Sequence, residues 1–477
     1  MGESAAAAPA DADASEPSTS DLPRTIDVDP AGDIVLDVTF ETSAATLNRT
    51  RRAVLAASRK AGTAPPPASA LKPQVRVAYR TSLAALKKYS KYFSNLLSNS
   101  QFREARLISD AHGKLAERKV KPSEADILDL PWIPIADDDE ATKTAGREKV
   151  MEDILNIIHQ RPPKTARATM SHVMTLAIVA DRFDCVSGVA RALNTDFKFK
   201  WPLTTGKPLR SEDGKPTDVE QVLRQKVLVA WLLGQPARFQ QATRELILRG
   251  SRLWSEFHDA NADPGMTAVW WNLPDGIEEE LRYRRECILN TIASVQRHFL
   301  GLFSSRERQC KLGYDTSGAC DSYQLGQMLK FFLAKNLLFL VDFSPTSLDS
   351  VPDTAMVDIE ELLSTLQQCP NYQIDKNHTN CGLRVRMEPI MGYMRSMLSA
   401  NVIAMAHADW TKRRAEISWL TLKENSSVRD GDGLAGTFAF TRAIANDQRL
   451  RYDGAMYTDK MAKTMFMADA WDWTPEA

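Results

Sequence analysis

The sequence predicts an α+β protein: an α/β domain in roughly the first 200 residues, followed by a mainly α-helical region. Three observations predict it. Ile34, Leu36, Val38 and Phe40 alternate along one face, the two-residue period of a strand. Short strand-like and helical runs then interleave as far as Leu193. Past Lys200 the apolar residues recur every third or fourth position instead, the period of amphipathic helices.

Composition bounds the rest. At roughly 150 residues per domain, 477 residues suggest two or three domains. Hydrophobic residues at 43% and charged residues at 25% exclude a collagen, a coiled-coil rod and wholesale disorder. Sixty Lys and Arg against 61 Asp and Glu leave a net charge of −1, which argues against nucleic acid and anionic membranes as partners. The most apolar long stretch, 329–343, carries Lys330 and Lys335 and falls short of the ~20 apolar residues a membrane helix needs. Six cysteines are too few for a disulfide scaffold, so thiols or metal ligands are expected. Residues 1–25 lack the basic start and apolar core of a signal peptide, and the expected location is cytoplasm or nucleus.

Residues 1–25, rich in Ala, Ser and Pro, have too little apolar surface to repay ordering and are expected to be a disordered tail. The α/β domain is expected over 26–200. The strand of Ile34 to Phe40 opens it, and a polar insertion over about 41–74 follows. Gln74 to Tyr79 reads as a second strand. Residues 83–97 read as one helix, with Leu86, Tyr89, Phe93 and Leu96 at helical spacing. Ile127-Leu128-Asp129-Leu130, ending at Pro131, reads as a third strand. Asp137 to Glu140 read as a solvated loop or helix start. Helices are expected over 150–159 and 170–193. The mainly helical region takes in 201–477, and no further strand-rich stretch is expected there. Phe239, Ala242, Leu246, Gly250, Leu253 and Phe257 trace one face of a helix expected to pack inward. Ile288, Ile292, Val295, Phe299 and Leu302 do the same in a helix starting near Ile277, and 325–341 and 387–405 are further candidates.

The element order of the first 200 residues, with Leu86-x-x-x-Ser90-x-x-Phe93 and Ala180-Asp181-Arg182-Phe183, resembles the BTB/POZ domain, a protein-interaction module. Ser82 stands where that family's signature has His, and the insertion before Val75 is a second departure. The stretches from Leu223 to Gly234 and from Thr243 to Leu248 resemble BTB proteins of filamentous fungi. So do Cys320-Asp321-x-x-x-Leu325-Gly326 and Cys369 to His378. The resemblance implies a non-enzymatic scaffold or adaptor, in the manner of BTB proteins that present substrates to a cullin-type ubiquitin ligase. It also implies other proteins as partners and a homodimer.

One constellation points to metal chemistry. Cys310, Cys320, Cys369, His378 and Cys381 lie within 72 residues, and structural zinc takes four thiolate or imidazole ligands. These five residues are the candidates for a zinc-stabilised segment over 310–381. Reduced, packed cysteines are the competing reading. Gly431-Asp432-Gly433-Leu434-Ala435-Gly436 matches G-x-G-x-x-G but follows polar residues instead of a strand, so it reads as a glycine loop. The clusters Arg282 to Arg285 and Lys412 to Arg414 read as solvated faces, the tryptophans as packing anchors, and Glu278 to Glu280 as a complement to a helix dipole. No catalytic residues or organic cofactor are expected. A zinc-stabilised nuclear regulator of transcription is the alternative function.

Overall fold

A computed structural model of the chain describes residues 23–62, 71–213, 215–255, 268–310, 312–313, 315–337, 354–429, 436–447 and 454–474. The fold is mixed α/β with helix predominating. It divides into two compact units: Met1–Asp139 with Thr144–Ala166 and Val179–Phe197, and Glu140–Lys143 with Arg167–Ile178 and Lys198–Ala477.

The first unit is built on a four-stranded sheet. Strands β1 (Arg24–Asp27), β2 (Ile34–Glu41), β3 (Gln74–Thr81) and β4 (Trp132–Asp137) lie in the order β1-β3-β2-β4. β1 runs parallel to β3, β3 antiparallel to β2, and β2 parallel to β4. Both faces of β2 are covered: Leu36, Val38 and Phe40 are buried on one, while Val35 on the other packs with Ala78, Leu115, Ala125 and Leu130. Such double burial is what a central strand requires. Gly32 makes the turn into β2, where a Cβ would overlap the backbone of Thr81.

Several expected boundaries move, each for a local reason. Residues 1–22 of the expected tail lie outside the described residues, but Arg24 and Thr25 already pair with Val77 and Ala78. The expected insertion is largely α1 (Ala44–Ala61), capped by the Ser43 hydroxyl. The helix expected over 83–97 is two, α2 (Leu83–Tyr89) and α3 (Lys91–Ser98). Ser90 turns extended between them and accepts the Phe93 N–H with its hydroxyl, as small hydroxyl residues do when they compete with the helix. After α4 (Arg103–Glu117), Ile127–Asp129 is a 3-10 turn and not a strand. The strand comes after Pro131, and because β4 is an edge strand it tolerates Pro134. After α5 (Glu148–Ile158), the helix expected over 170–193 is likewise two, α6 (Met170–Arg182) and α7 (Val186–Thr195). They are separated where Asp184 adopts positive φ, a helix-ending conformation.

The second unit packs helices around buried apolar stripes. α8 (Val219–Leu232) pairs with α9 (Pro236–Arg249), and the 28-residue α10 (Ile277–Ser304) runs past both α9 and α11 (Ser317–Ala334). Phe239, Ala242 and Leu246 are fully buried as expected. The stripe stops at Gly250, whose φ of 81° and close approach to the Ala355 carbonyl only glycine allows. Leu253 is therefore in a half-buried 3-10 turn, and Phe257 lies outside the described residues. α12 (Ile359–Gln367) packs on α13 (Leu383–Leu398), which begins earlier and ends sooner than the expected 387–405. α14 (His407–Ile417) and α15 (Trp419–Arg429) follow. Contrary to expectation, a small parallel sheet also forms in this region, with β5 (Thr437–Ala439) beside β6 (Ala470–Asp472).

Charge clusters expected at the surface are partly interior. Asp137 is buried and accepts from Arg147 Nε at 2.6 Å, and Asp139 accepts from the Ser43 hydroxyl at 2.8 Å, so neither is solvated. Arg284 and Arg285 are buried too. Arg284 donates to Glu280 and to the Val402 and Ala404 carbonyls, and Arg285 to the Ile247 and Thr354 carbonyls. Glu280 also accepts from the Ser418 hydroxyl and the Trp419 N–H, while Glu278 pairs with Arg224. Buried charges need partners of this kind, and here many come from residues distant in sequence, such as Val402 and Ala404 for Arg284 and Ser418 for Glu280.

Candidate metal centre

Three local structures present the cysteines. The first is the segment after α10. The Asp321 carboxylate accepts the N–H groups of Gln309 at 2.8 Å and Cys310 at 3.0 Å, while Arg386 of α13 donates to the Gln309 carbonyl at 3.2 Å. These bonds fix the backbone at Cys310. The second is the first turn of α11, which carries Cys320 inward and places the Ser317 hydroxyl 3.5 Å from Cys310 Sγ. The third is the turn before α13. Gln324 of α11 donates to the Tyr372 carbonyl at 2.8 Å and accepts the Leu383 N–H at 3.3 Å. Gly382 sits so close to Asn371 and Tyr372 that a Cβ there would overlap Asn371 Oδ1. Cys381 is the residue next to this contact.

The ligand atoms of Cys310, Cys320 and Cys381 all lie within 4.8 Å of one another, and the Cys310 and Cys381 sulfurs are 3.7 Å apart. Tetrahedral Zn–S bonds of ~2.3 Å imply S···S separations of about 3.8 Å, so the convergence is of the right size for a metal ion. Three elements separated by up to 71 residues meet here. The cluster is able to hold a metal.

His378 lies near this group, with Cys310 among the groups acting on its ring, but not within the mutual 4.8 Å of the three sulfurs. Its ring has no exposed surface. A turn from Asp375 to His378 fixes it: the Asn377 N–H and His378 Nδ1 both meet Asp375 Oδ1, each at 2.8 Å. The hydrogen bond to Asp375 is the main reason that the His378 pKa is raised and the Asp375 pKa lowered. Burial pushes Cys320 up to about 12, helped by the two neighbouring thiols, and burial raises Cys381 as well. For Cys310 burial also acts upward, but hydrogen bonds from Ser317, the Leu312 backbone and the other two cysteines outweigh it and hold this thiol below its usual value. Of the three thiols, Cys310 is thus the one held lowest.

Cys369 is not brought together with the others. It is buried, its thiol directed at the Pro370 carbonyl 3.7 Å away, and burial raises its pKa to about 11. Sequence spacing alone did not single out Asp375, Asp321 or Gln324, although Asp375-x-x-His378 is a legible local pair. The remaining motifs divide. Residues 431–435 of the glycine motif lie outside the described residues. Trp254, Trp270, Trp271, Trp410, Trp419 and Trp473 are buried, in keeping with packing. His159 packs at the end of α5, and His172 is half-buried. Among the described residues no helix is long and apolar enough to cross a membrane. Compared with protein-family models, curated proteins and solved structures, the chain matches none.

Proposed function

We propose that the protein is a non-enzymatic interaction scaffold or adaptor, with a BTB/POZ-like first unit and a second unit stabilised by structural zinc. The observation that carries this reading is the meeting of the residues on which the BTB resemblance rests. Leu86, Ser90 and Phe93 are all buried, the Ser90 hydroxyl donates to the Phe183 carbonyl at 2.6 Å, and the Phe93 and Phe183 rings stack at 5.1 Å. Two motifs 90 residues apart in sequence thus form one cluster, which supports reading them as parts of one fold. The order β2, β3, α2 with α3, β4 and α5 adds support, with α1 inserted between β2 and β3. A fold does not by itself imply a function, so the adaptor role rests on analogy with BTB proteins.

The zinc reading rests on the thiol cluster. Soft thiolate donors suit Zn²⁺, and a closed four-ligand shell tying distant segments makes the metal's binding energy folding energy. Partners are other proteins, a cullin-type ligase component and a second copy of the chain among them. The test is purification of the tagged full-length chain from its source cells under native conditions, with cross-linking and mass spectrometry. A stoichiometric partner cross-linked to lysines of the first unit, such as Lys87, Lys88 or Lys91, is expected. Recovery of the 53.2 kDa chain alone, sedimenting as a monomer, would overturn the scaffold reading.

A further inference from the structure

Resting on the proposal that zinc is bound, we infer that its ligands are Cys310, Cys320, Cys381 and Nε2 of His378, with Asp375 as the carboxylate that positions the imidazole and Cys369 outside the set. The sequence offered five candidates for four places, and the tertiary structure discriminates among them. Three sulfurs converge within 4.8 Å, which leaves one place in a tetrahedral shell. His378 stands three residues before Cys381 in the segment leading into α13, with its ring fully buried and Cys310 among the groups acting on it. Two other candidates nearby have partners of their own: Asp321 accepts two backbone N–H groups, and Cys369 is directed at the Pro370 carbonyl.

The choice of nitrogen follows from Asp375. Its Oδ1 lies 2.8 Å from Nδ1, so Nδ1 carries the proton and donates, and the lone pair is on Nε2. A carboxylate behind a ligating histidine fixes ring orientation and tautomer and makes the free nitrogen a better donor, an arrangement that recurs in zinc sites. Asp375 is itself held, since the Asn377 N–H also donates to Oδ1, and the turn closes through the His378 N–H and the Asp375 carbonyl at 3.3 Å. The dyad is built before any metal arrives. Its burial fits the same purpose, because an imidazole with no exposed surface offers its nitrogen to the interior and not to water.

Cobalt(II) replacement of zinc in the full-length protein, read by electronic absorption, with zinc affinity measured by competition against a chromophoric chelator, tests the assignment. Wild type should give a tetrahedral spectrum with charge-transfer intensity for three thiolates. Cys369→Ser should leave spectrum and affinity unchanged. His378→Cys should keep the metal and raise the charge-transfer intensity to that of four thiolates, a change that a purely structural histidine would not produce. Asp375→Ala should weaken zinc binding by roughly 10–100-fold. Asp375→Asn should weaken it less, because the amide oxygen still accepts from Nδ1–H. Circular dichroism of each variant with zinc checks that the fold is retained. Unchanged spectra in His378→Cys, or loss of metal in Cys369→Ser, would overturn the ligand set while leaving zinc binding intact. A wild-type protein that is isolated without metal and takes up neither zinc nor cobalt would overturn the zinc reading and the ligand set together.

Discussion

The backbone N–H of Ser82 donates to Nε2 of His159 at 2.9 Å, across 77 residues of sequence. The other ring nitrogen, Nδ1, lies 2.7 Å from the Leu155 carbonyl. These two bonds require a neutral imidazole with its proton on Nδ1. Ser82, the N-cap of α2, is therefore held by a histidine supplied from the end of α5.

Stability should fall on mild acidification. Burial is the main cause that holds the His159 pKa below the ordinary value, and Arg161 acts in the same direction, while Asp29, Asp33 and the bond to Leu155 oppose them. The unfolded chain thus takes up the proton first, at a pKa of ~6.5, and the stability present above that value is lost as pH falls through it toward the folded pKa. Urea midpoints measured at about pH 7.5 and about pH 5.5 should separate more in wild type than in His159→Gln. Equal separations would show that this ring titrates as it would in water.

Ser90→Ala should destabilise the first unit by about 2 kcal/mol, since it removes the N-cap of α3 and leaves the buried Phe183 carbonyl without its 2.6 Å donor. Equilibrium unfolding monitored by circular dichroism measures the change, and a loss within about 0.5 kcal/mol would mean that the cluster around Ser90 adapts easily.

Asp137→Ala should cost more, about 3–5 kcal/mol, because Arg147 would remain buried without its carboxylate. Both side chains are almost fully buried, and Asp137 Oδ1 also accepts from Arg182 at 2.9 Å. The same unfolding assay, with Asp138→Ala as an exposed comparison, separates a buried pair from general surface charge.

Leu246→Ala should destabilise by about 2–5 kcal/mol, as truncation of a fully buried leucine does. Leu253→Ala should cost clearly less, since the chain leaves the helix at Gly250 and Leu253 is only half-buried. Similar losses at the two positions would mean that the apolar stripe runs on beyond Gly250.

On the proposal that the thiol cluster holds zinc, chelator treatment should lower the melting temperature of the second unit. A ligand at about 1,000 times its dissociation constant stabilises the folded state by ~4 kcal/mol, and its removal forfeits that amount. Calorimetry before and after chelator treatment, with zinc added back, gives the difference; superimposable traces would mean that the thiol cluster folds equally well without metal.

How much of this was legible in the sequence differs by element. The strand at Ile34 and the start of α10 at Ile277 were read directly, because local periodicity is set by which side chains must share a face. The breaks at Ser90 and Asp184 were not, since apolar spacing continues across them while one hydroxyl and one positive φ end the helices. β4 was placed a few residues early because two prolines obscured an edge strand. Periodicity also could not show that Arg284, Arg285 and Glu280 are interior, since a charge is affordable inside only where the fold supplies partners from elsewhere.

The candidate metal centre divides along the same line. Sequence by itself determined the donor chemistry: cysteines and a histidine within one stretch of 72 residues, and an aspartate three positions before that histidine. Which of them meet was decided only by tertiary structure. Cys310 and Cys381 are 71 positions apart, and their approach to 3.7 Å depends on Asp321, Gln324 and Arg386 joining α11, α13 and the two turns. Cys369, nearer to Cys381 in sequence, is directed elsewhere by its own backbone. Residue type is a local property, whereas a ligand set is a set of distances, and distances between segments arise only when packing and hydrogen bonds close the loops between them.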